Sequence, residues 1–331
     1  MTIDELILLK QYLNKERSLT FLKDKLNKSE YEIMAQIATM KKNGENIVDV
    51  CKNGDIYIKN YKDASLEETA PYYINTEYNN KIKLAFISDT RLASKYEQLG
   101  ILNDIYKKAY EYGVSQIFHC GDLSEGVYNG KKSLYNETIF EHDVFSQGKY
   151  IINNYPYVDG ITTNFITGDH DKTHLITTSY DIGKIVSKGR EDMKYLGQNS
   201  RKVIIRDSNN KEMMSLLIRH PNGKTPYTIS YKPQQFIASL RNEEKTDILL
   251  NGHWLQTEML SIRNITEFSV PSVVATTPEM IDNGLQNTIG AWFVEVIFDK
   301  NKTKIIPTFN PYYKTYENDY KTAKTLKLER K

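Results

Sequence analysis

The chain has 331 residues, about twice the length of a typical domain, which excludes a single small core. Apolar residues make up 40% and charged residues 26%, a composition that excludes a disordered chain. The 44 basic and 42 acidic side chains give a net charge of +2, which excludes a general polyanion-binding protein and restricts any nucleic-acid contact to a local surface.

The sequence also limits where the protein acts. No stretch approaches about 18 consecutive apolar residues, and the first residues lack the basic and apolar regions of a signal peptide. We therefore expect no membrane contact and a cytoplasmic location. The two cysteines, Cys51 and Cys120, lie far apart in no ligand spacing, which predicts neither a disulfide framework nor a cysteine metal site.

The first part of the chain predicts three helices. Helical spacing of apolar residues indicates the first two, over residues 3–13 and 19–26. Ser29 followed by Glu32 is a capping-box arrangement, in which each residue bonds the backbone of the other, so a third helix begins there and ends at Gly44.

Two short strands follow, over residues 47–51 and 55–59. Between them lies Asn53-Gly54, a pair that readily adopts the positive φ angles of a tight hairpin turn. The order of three helices and a hairpin resembles a winged helix-turn-helix over residues 1–62.

This resemblance implies a DNA contact made by the third helix, with the hairpin as the wing. The side chains expected to face DNA are Gln36, Thr39, Lys41 and Lys42. The alternative is contact with a protein partner, because Glu30 and Glu32 lie near the end of the helix that usually reads bases and would repel phosphate.

Residues 63–80 contain four acidic residues and no apolar period, which predicts a linker. The next segment, residues 81–310, alternates apolar strands with helices and predicts an α/β domain. The first strands are expected over residues 82–88, 116–120 and 161–167, and the helices between them over residues 96–112 and 137–153. Five later strands are expected over residues 212–219, 247–250, 258–262, 291–298 and 304–308.

The later strands have short connections, which predicts a second, more antiparallel sheet. Residues 311–331 form a polar tail, rich in Tyr and Lys, for which the sequence predicts no role.

Acidic residues or histidines follow five of the predicted strands. They occur in Ser88-Asp89-Thr90-Arg91, Gly121-Asp122-Leu123-Ser124-Glu125, Gly168-Asp169-His170-Asp171, Arg219-His220 and Asn251-Gly252-His253. Because the carboxyl ends of strands form the ligand crevice of open α/β sheets, these clusters are expected to converge. Carboxylate and imidazole ligands suit manganese, iron or zinc, ions that can clamp a phosphate and activate water. The glycines that precede these acids and histidines allow a close approach of phosphate or metal.

These motifs resemble the calcineurin-like metallophosphoesterases over about residues 82–310. The family signature is Asp-x-His, Gly-Asp-x-x, Gly-Asn-His followed by Asp or Glu, a lone His, and Gly-His-x-His. Here the corresponding segments are SDTR, GDLSEG, GDHD, RHPNG and NGHWLQ. The resemblance implies a four-layer αββα sandwich. Residues 180–183 and 192–197 look further like a phage and archaeal branch related to SbcD-type DNA repair exonucleases, which implies a bacterial or phage-infected cell.

The resemblance also implies the metal ligands. Its second ion would be held at the positions of Asp122, Asp169, His220 and His253. Its first ion would use Asp89 and Asp122 with two histidines, whose positions hold Arg91 and Leu255 in this chain. One ion site is therefore expected to be lost and the other retained, which predicts one divalent transition metal (manganese, iron or zinc) or no ion at all.

Three residues carry the remaining chemistry. His170 matches the family histidine that helps to protonate the leaving group, with Asp171 beside it. Arg91 could hold a phosphate in bidentate geometry, or it could pair with Asp89 or Asp122 in an inactive site. The predicted function is a weak one-metal phosphodiesterase or nuclease acting on DNA. The alternative is an inactive scaffold that serves as a DNA-binding or assembly subunit.

Several residues nearby are given lesser roles. Glu125 is expected to orient ligands, and Trp254 with Leu255 to fill the lost site or offer a stacking surface. Of the other histidines, His119 is expected in the core, His142 on the surface of a helix and His174 in a loop.

Overall fold

A computed structural model describes residues 3–13, 15–42, 47–52, 54–60, 70–76, 80–299 and 302–329. The chain divides into two compact units, Met1–Ala70 and Pro71–Lys331. Among the helices that the structure describes, none is long and apolar enough to cross a membrane.

The smaller unit contains three helices and one antiparallel sheet. The helices are α1 (Ile3–Leu13), α2 (Leu19–Leu26) and α3 (Glu30–Lys42), and the strands are β1 (Arg17–Ser18), β2 (Ile47–Lys52) and β3 (Asp55–Asn60). The strand order is β1-β3-β2. The predicted helices and hairpin strands are confirmed, whereas β1 was not predicted because two residues are too few to give a pattern. Gly44 and Asn53 lie outside the described residues.

Local hydrogen bonds explain why these helices begin where they do. The Ser18 hydroxyl accepts from the Phe21 amide at 3.1 Å, at the start of α2. The Ser29 amide donates to the Glu32 carboxylate at 2.9 Å and the Glu32 amide to the Ser29 hydroxyl at 3.3 Å, so the capping box is confirmed. The core of the unit is apolar and includes Leu9, Leu13, Leu19, Leu22, Ile33, Ile37, Met40 and Ile58.

The larger unit is built on two sheets of six strands. Sheet I runs in the order β16 (Lys302–Pro311), β15 (Gly290–Asp299), β5 (Lys81–Ile87), β6 (Gln116–His119), β8 (Thr162–Thr167) and β9 (Met193–Gln198). Sheet II runs in the order β13 (Glu258–Ile262), β14 (Ile265–Ser269), β12 (Ile248–Asn251), β11 (Glu212–Arg219), β10 (Ser200–Arg206) and β4 (Tyr72–Asn75).

Helices and two minor strands complete this unit. The helices are α4 (Leu99–Tyr112), α5 (Val144–Asn154), α6 (Asp169–Thr178), α7 (Ile182–Gly189), α8 (Tyr231–Ser239), α9 (Pro278–Asp282) and α10 (Asp319–Thr322). The minor strands are β7 (Tyr157–Val158) and β17 (Lys327–Leu328), and 3-10 turns cover Gly130–Thr138 and Asn242–Glu244.

Both sheets are mixed, so the prediction of a more antiparallel second sheet is wrong. In sheet I, β5, β6, β8 and β9 pair in parallel, and β15 pairs antiparallel with both β5 and β16. In sheet II, β11, β12 and β14 pair in parallel and so do β10 and β4. The helix α8 lies between β11 and β12 in the chain and provides the crossover that a parallel pair requires.

The two sheets pack face to face, with helices outside. Leu84 and Phe86 of β5 belong to the core between the sheets, whereas Ala85 and Ile87 belong to the core under the helices. On the far side of sheet II, Ile237 of α8 packs against that sheet. The larger unit is therefore a mixed α/β structure with layers in the order helix, sheet, sheet, helix.

Two segments that the sequence places outside the domain belong to its sheets and helices. Strand β4 falls within the predicted linker, residues 63–80, and pairs in parallel with β10. The predicted tail, residues 311–331, contains α10 and β17, which pairs with β7. The amide of Gly100 donates to the Asp319 carboxylate at 2.6 Å, a contact between residues far apart in the sequence that no local pattern predicts.

One helix boundary also differs. The helix predicted over residues 137–153 begins at Val144, because the Asp143 carboxylate accepts from the Phe145 and Ser146 amides at 2.9 and 3.0 Å. This cap ends the preceding irregular segment, whose 3-10 turns cover Gly130–Thr138.

Candidate metal centre

The predicted site residues follow the carboxyl ends of strands in both sheets. Asp89, Asp122 and Asp169 come after β5, β6 and β8, which are parallel neighbours in sheet I. His220 and His253 come after β11 and β12, which are parallel neighbours in sheet II. Parallel strands end at the same edge, so the topology brings these five side chains towards one place.

Glycines make this close approach possible. A Cβ atom on Gly168 would lie 2.2 Å from Asp122 Oδ1 and 2.6 Å from His220 Nε2. Gly121 has a φ of +99°, and a Cβ there would lie 2.4 Å from His220 Nδ1. Any larger residue at these positions would displace the carboxylate or the imidazole, whereas the predicted close approach of phosphate or metal stays a prediction.

Four side chains form a cluster with the dimensions of a metal site. Asp122, Asp169, His220 and His253 each offer one donor atom, and all four atoms lie within 4.8 Å of one another. Asp169 Oδ1 is 2.9 Å from both His220 Nε2 and His253 Nδ1. Asp122 Oδ2 is 3.3 Å from His220 Nε2. These are the four residues predicted for the retained ion.

Backbone carbonyls orient both histidines. His220 Nδ1 lies 2.7 Å from the Cys120 carbonyl oxygen, and His253 Nε2 lies 2.6 Å from that of Gly223. Because a carbonyl oxygen only accepts, these nitrogens carry the hydrogen and donate it. In the neutral rings the lone pairs are therefore on His220 Nε2 and His253 Nδ1, the atoms that face Asp169. This is the arrangement found around metal-binding histidines, so the residues fit a divalent ion.

The electrostatics of the cluster also favour a cation. Burial would raise the pKa of Asp122, but the His220 ring lowers it to about 2. Burial likewise opposes the ionised form of Asp169, yet the hydrogen bonds with the His220 and His253 rings, which donate when the rings are protonated, hold its pKa well below the usual range. His220 itself is buried, but Asp122 and Asp169 keep its pKa well above that of a free imidazole. A bound divalent ion would take over the charge balance that the proton on His220 provides.

Asp89 and Arg91 form the adjacent part of the site. Arg91 Nη2 is 3.5 Å from Asp89 Oδ1 and 3.7 Å from Asp122 Oδ2, so the expected contact with the acids is present. The other Asp89 oxygen accepts from the Ser88 hydroxyl at 2.6 Å. Burial opposes the charge on Arg91, but nearby acids, Glu125 foremost, more than offset it and raise its pKa. Arg91 is therefore a permanent buried cation.

Two guanidinium nitrogens of Arg91 remain available. Arg91 Nε and Nη1 are buried and have no hydrogen-bond partner among the residues that the structure describes. Glu125 is also buried, one of its oxygens has no such partner, and burial raises its pKa. The unsatisfied donors give Arg91 the capacity to bind an anion.

His170 lies in the first turn of α6, next to the cluster. Its amide donates to Asp122 Oδ1 at 2.9 Å, and its Nδ1 donates to the Glu125 carbonyl oxygen at 3.0 Å. Burial opposes protonation of the ring, but the neighbouring carboxylates, Asp122 foremost, outweigh it and raise its pKa. A proton on Nε2 is thus stabilised beside the four-residue cluster.

Asp171 is buried behind His170. Its two oxygens accept from the amides of Leu123, Ser124 and Gly168 at 2.8 to 3.0 Å and from the Ser124 hydroxyl at 2.7 Å. These bonds fix the loop that carries Asp122, and a catalytic role for Asp171 stays a prediction.

The two residues after His253 are buried. Leu255 packs with Val274 and Met280 in a small apolar cluster. Trp254 is only 3% exposed, which is incompatible with an open stacking surface and agrees with the alternative, that it fills space.

The remaining histidines lie outside the cluster. His119 is buried in β6, with Nε2 2.9 Å from the Thr90 hydroxyl, so its prediction as a core residue is confirmed. His142 is exposed, but it precedes α5 instead of lying on it. The loop prediction for His174 is wrong, because it lies in α6, buried, with Nε2 2.9 Å from Gln147 Oε1.

The structure shows a group of polar contacts around Tyr128 that was not predicted. The Tyr128 hydroxyl donates to the Glu125 carboxylate and lies 3.2 Å from Glu279 Oε2, and Lys132 contacts Glu279 from outside. Glu279 lies 151 positions from Tyr128, so only the tertiary structure brings them together. A Tyr and two Lys soon after the Gly-Asp motif were the only signal available.

The residues predicted to contact DNA all lie on α3, in the smaller unit. Thr39 and Lys41 are exposed and Gln36 is half-buried. The Lys41 ammonium contacts the Asp49 carboxylate of β2, which partly neutralises it. The side chain of Lys42 lies outside the described part of the chain, and DNA binding stays a prediction.

No protein-family profile and no curated protein matches the chain. Among solved structures it is similar to an archaeal phosphodiesterase, with 12% identity over 69% of this chain and 100% of the other and a TM-score of 0.37. It is also similar to a predicted phosphoesterase from Streptococcus pneumoniae TIGR4, with 12% identity over 70% of this chain and 100% of the other and a TM-score of 0.33. A zinc-bound Vps29 from Entamoeba histolytica has 10% identity over 69% of this chain and 99% of the other, with a TM-score of 0.32.

Proposed function

We propose that the chain is a metallophosphoesterase-like hydrolase that uses one divalent transition metal to cleave phosphodiesters. The observation that carries the proposal is the cluster of four donor atoms within 4.8 Å, whose two histidines are oriented by backbone carbonyls. When bound, such an ion lowers the pKa of a water and polarises a phosphoryl oxygen. Manganese, iron and zinc all suit this mixture of carboxylates and imidazoles.

Two further residues act on the substrate in this proposal. Arg91 stabilises the negative charge of phosphoryl oxygens with its permanent positive charge. His170 gives the proton on Nε2 to the leaving oxygen, a role supported by its raised pKa and by the fixed hydrogen bond at Nδ1.

A single ion is proposed because the position expected for the first ion is already neutralised. Arg91 contacts both Asp89 and Asp122, and Leu255 packs in an apolar cluster. The same observation favours a second candidate function, an inactive phosphoesterase-like scaffold that binds DNA or assembles with other proteins. A guanidinium supplies charge, but it cannot activate water as an ion does.

Elemental analysis and hydrolysis of bis(4-nitrophenyl) phosphate test the proposal together. We expect one ion per chain and a slow, manganese-stimulated reaction that Asp169→Asn abolishes. The matched control is Asp24→Asn, at an exposed position of α2. Two ions per chain would overturn the one-metal site, and one ion without hydrolysis would favour the scaffold.

We further propose that the smaller unit is a winged helix that brings the protein to DNA through α3. The exposed polar residues Thr39 and Lys41 and the half-buried Gln36 support this role. Exposed Glu30 and Glu32 favour a protein partner as the alternative. The double change Gln36→Ala with Thr39→Ala should weaken duplex binding at least fivefold, whereas Gln11→Ala on α1 should not. Equal duplex affinities would leave the protein partner as the better explanation.

A further inference from the structure

Two surface segments that lie far apart in the sequence contact residues of the candidate metal centre. The first lip comprises residues 127–136 and the second lip residues 221–232. In the first lip, the Tyr128 ring lies edge-on to His170, with 5.7 Å between ring centroids. In the second lip, the Gly223 carbonyl accepts from His253 Nε2 at 2.6 Å. Both lips therefore contact residues of the site.

The lips share an unusual composition. Each contains two lysines, two tyrosines and no acidic residue, in a chain whose 44 basic and 42 acidic residues nearly balance. These residues are Tyr128, Lys131, Lys132 and Tyr135 in the first lip and Lys224, Tyr227, Tyr231 and Lys232 in the second. In the first lip Lys132 pairs with Glu279 and the Tyr135 hydroxyl donates to Asp282, which leaves Lys131 and the lysines of the second lip as the positive charge beside the candidate active site.

The tyrosines of the second lip project into solvent. Tyr227 is fully exposed, at 106%, and Tyr231 is 57% exposed. A fully exposed ring contributes nothing to the packing of the described residues. Lys131 and Lys224 are exposed as well, whereas Lys132 contacts Glu279. Exposed rings next to exposed ammonium groups are the components of a surface that binds bases and phosphates together.

We propose that the two lips bind an unpaired nucleic-acid strand and guide it to the metal centre. Tyr227 and Tyr231 stack on bases, and Lys131 and Lys224 contact the flanking phosphates. An unpaired strand is required because the bases of a duplex stack on one another and leave their faces covered. The proposal rests on the proposed phosphodiesterase function, since it assigns a substrate class to that same site.

Fluorescence anisotropy with three labelled probes tests the proposal in the full-length chain that carries Gln36→Ala and Thr39→Ala, which removes the duplex binding proposed for α3. The probes are a twelve-residue oligothymidylate, a twelve-residue oligouridylate and a duplex of the same length. Measurements in EDTA separate binding from any hydrolysis. We expect the unpaired probes to bind at least tenfold more tightly than the duplex, and a preference between them identifies DNA or RNA as the ligand.

Substitutions then locate the contact. Tyr227→Ala and Tyr231→Ala should each weaken binding of the preferred unpaired probe by roughly 5- to 150-fold, the range measured for loss of one base stack. Tyr227→Phe should retain the affinity, because the ring and not the hydroxyl stacks. Lys224→Ala should lower the slope of log affinity against log salt by about 0.7. The matched control is Tyr313→Ala, at a tyrosine that is 92% exposed outside both lips.

The outcomes separate this proposal from the proposed function. If the chain hydrolyses bis(4-nitrophenyl) phosphate but shows no preference for unpaired probes, the proposed role of the lips is wrong and the proposed hydrolase function is supported. If unpaired probes bind in a way that depends on Tyr227 and Tyr231 but no hydrolysis occurs, the proposed role of the lips is supported and the proposed hydrolase function is wrong. An unchanged affinity for the unpaired probe in both Tyr227→Ala and Tyr231→Ala would also show that the proposed role of the lips is wrong.

Discussion

Two adjacent parts of the candidate site neutralise buried acids in different ways. On one side, Asp122 and Asp169 face two histidine nitrogens that carry lone pairs in the neutral rings. On the other side, Asp89 is 0% exposed and faces the permanent cation of Arg91. The first part can exchange protons for an ion, whereas the second already contains its positive charge.

This difference shows two ways in which buried carboxylates can be compensated. A buried carboxylate is costly unless a charge or a proton compensates it. An arginine within 4 Å of both Asp89 and Asp122 supplies a fixed charge to these two acids. Four variants test this comparison.

The largest effect is expected from His220→Ala, which removes one metal-donor atom from the cluster of Asp122, Asp169, His220 and His253. Metal affinity should fall on the order of 1,000-fold, well beyond the 10- to 100-fold typical for residues that only support ligands. Titration with manganese, followed by elemental analysis of the purified variant, measures this. The control is His142→Ala, at an exposed position. Full occupancy in His220→Ala would show that the ion binds elsewhere.

Arg91→Ala tests the permanently charged part. Removing one partner from a buried ionic group typically costs about 3 to 5 kcal/mol, because the acids left behind have no counter-charge. Urea unfolding should show this loss, with a smaller one in Arg91→Lys. Arg241→Ala provides the control, since its side chain is 70% exposed. A change below about 1 kcal/mol in Arg91→Ala would contradict the assigned role.

The double change Arg91→His with Leu255→His tests whether the part of the site around Asp89 can be made to bind an ion. It introduces imidazoles at the two positions where the sequence resemblance expects ligands of the first ion, and it should raise the stoichiometry from one ion per chain to two. Hydrolysis should rise on the order of tenfold, because two ions stabilise both the attacking and the leaving oxygen. Each single change should have less effect, since all ligands are needed together. If the double variant still bound a single ion, loss of histidines would not explain the one-metal site.

Much of the site could be predicted because its side chains follow strands in recognisable motifs. The cluster of Asp122, Asp169, His220 and His253 was expected because the resemblance of these motifs to a known family implies ligands at those positions. What the sequence could not provide were the groups that complete the site through backbone atoms. The Cys120 and Gly223 carbonyls orient the histidines, and a carbonyl is present in every residue.

Backbone conformation limited prediction in a second way. Asp89, Asp122 and His253 adopt positive φ angles of 49°, 56° and 73°, which non-glycine residues rarely do and which no side-chain pattern reveals. The fold shows the same limit, because β4 is placed by its parallel pairing with β10, a contact between distant residues. Local periodicity predicted α2 within its observed bounds, because helix caps and apolar spacing are local.

Glu97 is expected to affect the candidate site least, and it adds a third way to neutralise a buried acid. It is 0% exposed, and its carboxyl group accepts from the Ala93 amide at 2.7 Å and from the Tyr150 hydroxyl. Burial raises its pKa to about 8, so a proton neutralises it in the folded protein at pH 7. Between the unfolded pKa of 4.5 and about 8, the folded state binds more protons than the unfolded state. The free energy of unfolding contributed by Glu97 should therefore fall as pH rises through this window, on the order of 1 kcal/mol per pH unit, and level off above it.

Glu97→Gln replaces the protonated acid with a neutral side chain of the same shape and should remove this slope. Compared with the native chain, the variant should become progressively more stable from pH 5 to pH 8, as measured by urea unfolding at each pH. Glu111→Gln, at a glutamate whose side chain is 60% exposed, should leave the slope unchanged. Parallel curves for Glu97→Gln and the native chain would mean that Glu97 is ionised in the folded state. A buried acid would then be tolerated here without cation or proton, and the argument that Arg91 is required beside Asp89 would lose its physical basis.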